Sequence, residues 1–599
     1  MKADNIDVRR LFSQDRRYLV PLFQRPYVWD QEGQWQPLWD DLVKVAERRK
    51  LGSPAKPHFL GAVVLDQLRT TVSSLDARQI IDGQQRLTTL QLLLTALRDL
   101  ARELESSDLV RAFEKLIRND DPLSKDPDAV FKVWPTNVDR EQFRAVVTAC
   151  SPQAVEALCS QAEDNHSGTR LPHAYLFFYS TAKDWIGSGT LEEKVEHIKI
   201  LLLTLYESFQ VVVIDLDESD NAQVIFESLN ARGTPLLPAD LVKNYLFHLA
   251  EDRGQDIEAL YNSYWKPFDV ERRFWRVEIR QGRLRRPRLD IFLQHYLTLK
   301  TGEEVLTDHL YTTFKDSAGK HPDAAAELRA LRDYSQIYRS FYQQEPESRE
   351  GIFFERLDIM ETTTVVPLLL ALFNTSQEIS RAEVRRILID IESFLVRRMV
   401  CQLTSKSYSR LFLDLLSTLR REGFGSEAAR LFLAQQESES TRWPSDAEFQ
   451  RAWLDLPVYR ILQRRRLRML LEAVELGLHT DKTERMRFSK KLTIEHILPQ
   501  SWNSHWPLLG EDDERDERNR RNARVHTIGN LTLLTKSLNP AVSNGPWPKK
   551  RAEILKHSAL NLNRSLSEFD EWSEDTIEKR GKAIFRVAKR IWPRPTSEA

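Results

Sequence analysis

The sequence predicts an α+β multidomain protein: an α/β N-terminal region, a helical middle, and a C-terminal segment of short strands followed by a basic helix. Three observations lead there. The chain has 599 residues, several times the roughly 150 expected per domain, so it must fold as more than one unit. Strand-like runs at Phe59–Gln67, Arg78–Asp82 and Phe209–Asp217 are separated by helical spacing, so the N-terminal half mixes strands and helices. After about residue 485 the helical pattern gives way to short strands and turns. The expected domains are 1–250, 251–475 and 476–599.

The elements follow in order. Phe59–Gln67 (FLGAVVLDQ) reads as a strand and Arg78–Asp82 (RQIID) as a shorter one. The next segment places Leu87, Leu90, Leu94, Leu97 and Leu104 three, four or seven apart, which predicts a helix with a buried stripe. Residues 107–200 read as helical without a sharp motif. Phe209–Asp217 (FQVVVIDLD) is nearly continuous in apolar and β-branched residues, as a buried strand should be. A helix is expected over 221–230, ended by Gly233 and Pro235, and another near Pro238-Ala-Asp240. From about 245 to 475 helical spacing is almost unbroken, as in DIFLQHYLTLK, VVPLLLALF, EVRRILIDIESFLVRRMV and RLFLDLLSTLR. The sign-alternating stretch Glu511–Arg524 reads as a solvated loop.

Composition narrows the class. Apolar residues make up 41 % of the chain, enough for real cores, and the net charge of −1 rules out a polycation. Nucleic acid could be held only through local basic patches. Cys150, Cys159 and Cys401 form no CxxC pair, which fits a reducing cytoplasm and offers no zinc site. The N-terminus has no apolar signal core, and Val365–Phe373, the longest apolar run, falls far short of the ~20 residues of a membrane helix. The expectation is a soluble cytoplasmic protein without a membrane partner.

The sharpest motif is C-terminal. KLTIEHILPQSW places Glu495 and His496 at the end of a strand (Leu492–Ile497) before a Pro turn. HTIGNLTLLTKSLNPAVSNGPW follows, with Asn530, Asn539 and Asn544, and then a basic helix, PKKRAEILKHSALNLNRSL. Strand, loop, strand, helix is the order of a ββα-metal site. Its chemistry needs a neutral His to deprotonate a water aimed at phosphorus, and one Mg²⁺ (or Mn²⁺) to offset charge on the phosphate. A hard cation takes oxygen ligands, which Glu495 and Asn539 supply. His496, on the opposite side of the strand from Glu495, is then free to act as base.

This segment resembles the HNH domain of the DUF1524 family and, more distantly, that of RNA-guided CRISPR effector nucleases. In those nucleases an acidic-His pair precedes a hydrophobic-Pro-Gln turn, and two asparagines follow nine apart, the spacing of Asn530 and Asn539. The resemblance implies that His496 is the general base, that Glu495 and Asn539 are metal ligands, and that Asn530 orients the His loop. Glu495 stands where the CRISPR nucleases have Asp, and His526 and Asn544 are spare candidates.

The second constellation is Asp82-Gly83-Gln84-Gln85-Arg86, between a strand and a helix. Such a junction offers free backbone N–H groups and a positive dipole end to phosphate. Gly83 permits close approach, Arg86 can donate bidentately, and Gln84 and Gln85 suit a base, ribose or water. Val20–Trp29 (VPLFQRPYVW) precedes it and FESLNARGTPLLPADLVKNYLF (Phe226–Phe247) follows. The three motifs together closely resemble the DUF262 family, whose fold is similar to ParB and sulfiredoxin-like nucleotide-binding domains. The resemblance covers residues of about 10–250. It implies an NTP pocket (GTP, UTP, CTP or ATP) built from Asp82, Gly83, Gln84, Gln85 and Arg86, with Gln24 and Arg25 nearby and Asn230 and Arg232 completing it. Tyr27 and Trp29 read as structural aromatics rather than base-stacking ones.

DUF262 and DUF1524 in one chain resemble GmrSD-type modification-dependent restriction enzymes, with SspE-like partners of phosphorothioate DNA modification as relatives. That architecture implies an NTP-regulated HNH endonuclease of anti-phage defence. Its partners would be double-stranded DNA, modified phage or host DNA included, and a nucleoside triphosphate. Cutting both strands in one event would need two such sites, and so a homo-oligomer. The alternative class is a nucleotide-binding regulator or adaptor whose HNH fold binds DNA without cutting it. A translocating motor is disfavoured because the chain has no GxxxxGK[ST]. The densest basic segment, with Arg272, Arg273, Arg276, Arg280, Arg283, Arg285, Arg286 and Arg288 around Phe274 and Trp275, is the candidate DNA contact, and Arg464–Arg468 is a second.

Overall fold

The computed structural model describes all residues except 1, 23, 53–55, 69–74, 122–125, 162–169, 217–236, 282–283, 321–322, 376–378, 481–491, 505, 507, 509–513, 537, 539–543 and 596–599. The chain is mixed α and β, 66 % helical, and forms two compact units. The first comprises Met1–Glu278, Pro287–Ile291 and Thr307–Arg332; the second comprises Ile279–Arg286, Phe292–Leu306 and Asp333–Ala599. The helical middle is thus divided between them.

The first unit is built on a six-stranded mixed sheet, ordered β1 (Lys2–Asp7), β6 (Phe209–Asp215), β3 (His58–Gln67), β4 (Asp76–Asp82), β2 (Arg16–Leu19) and β5 (Val133–Trp134). β3 runs parallel to β6 and antiparallel to β4, while β2 runs parallel to both β4 and β5. β3, β4 and β6 stand where the β-branched runs predict them. β1, β2 and β5 are short or polar, and pairing rather than propensity makes them strands. The expected helix after β6, over 221–230, lies outside the described residues.

The helix Gln84–Glu103 follows β4 directly and is buried on nearly every face. A buried stripe was expected; the helices Ser107–Ile117 and Arg170–Ile186 cover its other sides. Arg98 and Asp99, both fully buried, pair at 2.8 Å, so the charges this central helix carries inside are compensated.

In the second unit the expected helices appear at Val366–Asn374, Arg381–Val400 and Tyr408–Glu422. They lead to the helix Arg464–Leu478 and a two-stranded antiparallel sheet of Leu492–His496 and Leu531–Thr535. The helices Trp547–His557 and Glu574–Ile591 follow. The stretch expected as a solvated loop, Glu511–Arg524, is instead helical over Glu514–Val525. Its charges solvate one face, while Arg524 binds Glu578 at 2.9 Å and Arg521 reaches Glu574 and the Trp506 carbonyl. Those tertiary partners are invisible to a reading of charge pattern. Among the described residues no helix is long and apolar enough to cross a membrane.

Candidate active site

The C-terminal strands pair so that Leu531 faces His496 and Thr532 faces Glu495. The strand's alternation therefore puts Glu495 and His496 on opposite sides. His496 is buried, at 4 % exposure. Its Nε2 lies 3.2 Å from His526 Nδ1, and its Nδ1 lies 3.5 Å from the Gln500 amide nitrogen. Tyr459 packs edge-on against His496 at 4.2 Å and stacks on His526 at 5.8 Å. The Arg464 guanidinium sits 3.4 Å over the Tyr459 ring. Burial, then the nearby His526, Lys550 and Arg464, pull the His496 pKa down to about 3, so the imidazole is neutral.

Asn530 is completely buried and spends all its hydrogen-bonding capacity locally. Its Oδ1 accepts from Leu498 N at 2.7 Å and from Trp572 Nε1 at 3.1 Å. Its amide donates to the Leu498 and Val525 carbonyls at 2.9 and 2.8 Å. Asn530 thereby joins the loop after His496 to the start of the second strand. From the far side Arg580, buried, donates to the Gly529 and Leu531 carbonyls.

On the other face of the strand, Lys550 of the helix Trp547–His557 donates to Glu495 Oε1 at 2.7 Å and to the His496 carbonyl at 2.6 Å. Burial lowers the Lys550 pKa, and Glu495 opposes that shift. Glu495 Oε2 takes no hydrogen bond from a described residue. That oxygen, with water and substrate phosphate, is of the kind a hard cation such as Mg²⁺ takes, and the cation would share the carboxylate with Lys550. Among the described residues no three His, Cys, Asp or Glu side chains cluster for a metal. Asn539, the other expected ligand, lies outside the described residues, and Asn544 is exposed in a turn.

At the N-terminal site the structure brings Gln24, Arg25, Asp82, Gly83, Gln84, Gln85 and Arg86 together at the junction of β4 and the helix Gln84–Glu103. Gly83 has φ +97°, and a Cβ there would come within 2.9 Å of Val63 Cγ2. The first helical turn has no side-chain cap. Much of the motif serves the fold: Gln84 and Gln85 donate to the Arg25 and Pro26 carbonyls at 3.2 and 3.1 Å, Gln85 accepts from Val28 N at 2.8 Å, and Gln24 donates to the Ile81 carbonyl at 3.1 Å. These bonds clasp the Val20–Trp29 segment onto the helix start. Tyr27, hydrogen-bonded to Thr89 and Trp35, is structural as expected.

What the clasp leaves over is cationic and polar. Arg86 donates to the Ala62 carbonyl and lies over Gly61, whose hydrogen leaves room for it. Burial lowers the pKa of both Arg25 and Arg86; Asp240 and then Asp82 oppose this at Arg25, and Asp82 opposes it at Arg86. The Arg25 guanidinium has no hydrogen bond or ion pair to a described residue. Gln84 Oε1 is buried with no partner among them. Asn230 and Arg232 lie outside the described residues.

The basic segment is less free than its sequence suggests. Arg276 pairs with Asp240 at 2.9 Å and Asp269 at 3.3 Å, and Arg272 donates to the Asp269 carbonyl. These two brace a buried network that includes Lys243–Asp269 at 2.5 Å. Arg273 and Arg285 are exposed, Arg286 is partly so, and Arg283 lies outside the described residues. In the Arg464–Arg468 run, Arg465 pairs with Asp358 and Arg468 with Glu472, leaving Arg464 exposed beside the histidines. Lys550 and Tyr459 were missed in the sequence. Lys550 sits in the basic helix already noted, but nothing in the spacing marks it as the partner of Glu495.

Compared with known families, residues 8–247 match the N-terminal domain of the GmrSD restriction endonucleases, and residues 443–587 match the C-terminal domain of the same enzymes. No curated protein matches the chain.

Proposed function

The chain belongs to the GmrSD restriction endonucleases and carries both of their domains in one polypeptide; from that premise we propose that it is an NTP-regulated, metal-dependent HNH endonuclease of anti-phage defence, responsive to DNA modification. As a restriction endonuclease its substrate is DNA. The observation that carries the finer reading is the neutral, buried His496 at the strand end. Asn530 fixes its loop, Arg464 stands beside it and Glu495 lies on the opposite face of the strand.

In this reading His496 takes the proton of a water aimed at phosphorus. Glu495 and Asn539 would hold a Mg²⁺ or Mn²⁺, which would offset charge developing on the phosphate and leaving oxygen. Arg464 meets the phosphate backbone, and the arriving negative charge raises the basicity of a His496 depressed first by burial and then by its cationic neighbours. Arg273, Arg285 and Arg286 are the members of the basic segment proposed to touch DNA.

The N-terminal junction is proposed to take a nucleoside triphosphate. The uncapped helix start, Arg25 and Arg86 would face phosphate, and Gln84 Oε1 would accept from ribose or base. Nucleotide turnover then acts as a switch on cutting. The sensed feature in this proposal is a phosphorothioate or another DNA modification, and the proposed location is the cytoplasm.

One observation favours a second reading, a DNA-binding regulator with a non-cutting HNH fold: Lys550 already neutralises Glu495. A single assay separates the two. Plasmid and phage DNA, modified and unmodified, are incubated with the full chain, Mg²⁺ or Mn²⁺ and each NTP. The enzyme reading expects metal-dependent cleavage by the wild type and none by His496→Ala; intact DNA under every condition supports the regulator.

A further inference from the structure

His526 is the polar group closest to His496 for which the reading above has no role. The two rings meet at 3.2 Å through His496 Nε2 and His526 Nδ1. Two imidazole nitrogens can bond only if one donates and the other accepts. The other ring nitrogen of His496, Nδ1, faces the Gln500 amide nitrogen at 3.5 Å. An amide nitrogen only donates, so the Nδ1 it faces carries a lone pair. With that amide nitrogen as the donor, Nε2 holds the ring proton and His526 Nδ1 is its acceptor.

The surroundings keep His526 in that role. Both rings are buried, and Tyr459 closes over them, its own N–H bonded to the His526 carbonyl at 3.2 Å. Burial together with Arg460 and Arg464 lowers the His526 pKa, which favours the neutral ring that can accept. A ring nitrogen anchored by a hydrogen bond dictates which nitrogen of a histidine does chemistry.

We propose that His526 is a positioning residue for the nuclease reaction: it accepts the Nε2 proton of His496, locks that tautomer and ring orientation, and leaves Nδ1, once the exposed Gln500 side chain gives way to the attacking water, as the atom that receives the water's proton. The proposal rests on the reading of His496 as general base. In the step it serves, the water oxygen forms a bond to phosphorus as its proton passes to His496 Nδ1. The bond from phosphorus to the leaving sugar oxygen breaks, and that oxygen takes a proton from solvent. The His496 imidazolium keeps its Nε2 proton on His526 and returns the Nδ1 proton to solvent.

The test uses the full-length protein labelled with ¹⁵N-histidine, with His526→Ala and His526→Asn beside the wild type and folding checked by thermal melting. The Asn carbonyl can accept where His526 Nδ1 does. Nitrogen spectra should show His496 as the Nε2–H tautomer in the wild type, a tautomer mixture in His526→Ala, and recovery in His526→Asn. Cleavage of supercoiled plasmid with Mg²⁺ should fall roughly 10- to 100-fold in His526→Ala, the usual effect of losing an orienting partner, and largely return in His526→Asn. An Nδ1–H tautomer in the wild type, or an unchanged tautomer in His526→Ala, overturns the proposal whether or not plasmid is cut. Wild-type cleavage by His496→Ala would instead sink the general-base reading, and the spectra would still decide the role of His526.

Discussion

Lys550 Nζ lies 2.7 Å from Glu495 Oε1 and 2.6 Å from the His496 carbonyl oxygen, so one buried ammonium ties the C-terminal helix to both residues of the Glu-His pair. The Lys550 side chain is fully buried, whereas that of Glu495 is 14 % exposed. The arrangement fixes the strand end from behind while His496 faces the opposite way. It also means that any cation drawn to Glu495 must share that carboxylate with an existing positive charge.

Replacing Lys550 by Met should therefore destabilise the C-terminal unit. Breaking a buried pair from one side leaves an uncompensated charge, and with Glu495 partly solvated the cost should be about 2–3 kcal/mol. Urea titration of Lys550→Met and of the double variant Lys550→Met/Glu495→Gln checks this. The double variant should recover most of the loss; equal losses would show that the pair is not the source.

Asn530→Ala removes two donated and two accepted hydrogen bonds that nothing else in the loop replaces. With buried partners left unsatisfied, the loss should reach about 3 kcal/mol. Thermal melting measures it, and a variant as stable as the wild type would contradict the role assigned to Asn530.

His295 gives a pH signature away from the site. It is buried, and burial alone draws its pKa from 6.5 down to about 4. The folded state resists protonation more than the unfolded state does, so stability is complete above pH 6.5 and declines as pH falls towards 4. Stability against pH for the wild type and His295→Gln tests the sign. The variant should lose less stability across that interval, and parallel curves would refute the assignment.

At the N-terminal junction, Gln85→Ala and Arg86→Ala should separate fold from function. Gln85 clasps Val28 and Pro26, so its loss should lower the melting temperature. Arg86→Ala should lose nucleotide hydrolysis with a smaller fall in melting temperature, since it gives up only its bond to the Ala62 carbonyl. Unchanged turnover in Arg86→Ala would place the nucleotide elsewhere.

The strands that carry chemistry were legible because their signals are local. β-branched runs gave β3 and β6, and Glu495-His496 followed by Pro-Gln gave the strand end. Asn530 was expected to orient the His loop; two of its four hydrogen bonds go to Leu498 in the loop after His496, and the others to Val525 and Trp572. Long-range partners were not legible. Lys550 lies 55 residues from Glu495, and Arg276 reads as a DNA contact until Asp240 and Asp269 are seen to claim it. Gln84 and Gln85 looked like ligand groups because a sequence shows their donors but not the backbone carbonyls of the Val20–Trp29 segment that consume them. The helix Glu514–Val525 escaped for the same reason, since the anchors of Arg521 and Arg524 lie on other elements.

The central claim is that one chain holds a nucleotide-dependent switch and a separate cutting centre at His496. The most direct measurement follows NTP hydrolysis and DNA cleavage together, on matched modified and unmodified DNA, in the wild type, Arg86→Ala and His496→Ala. The account predicts that His496→Ala hydrolyses nucleotide at the wild-type rate without cutting, and that Arg86→Ala loses hydrolysis and changes the cleavage response. Cutting by His496→Ala at the wild-type rate would contradict it.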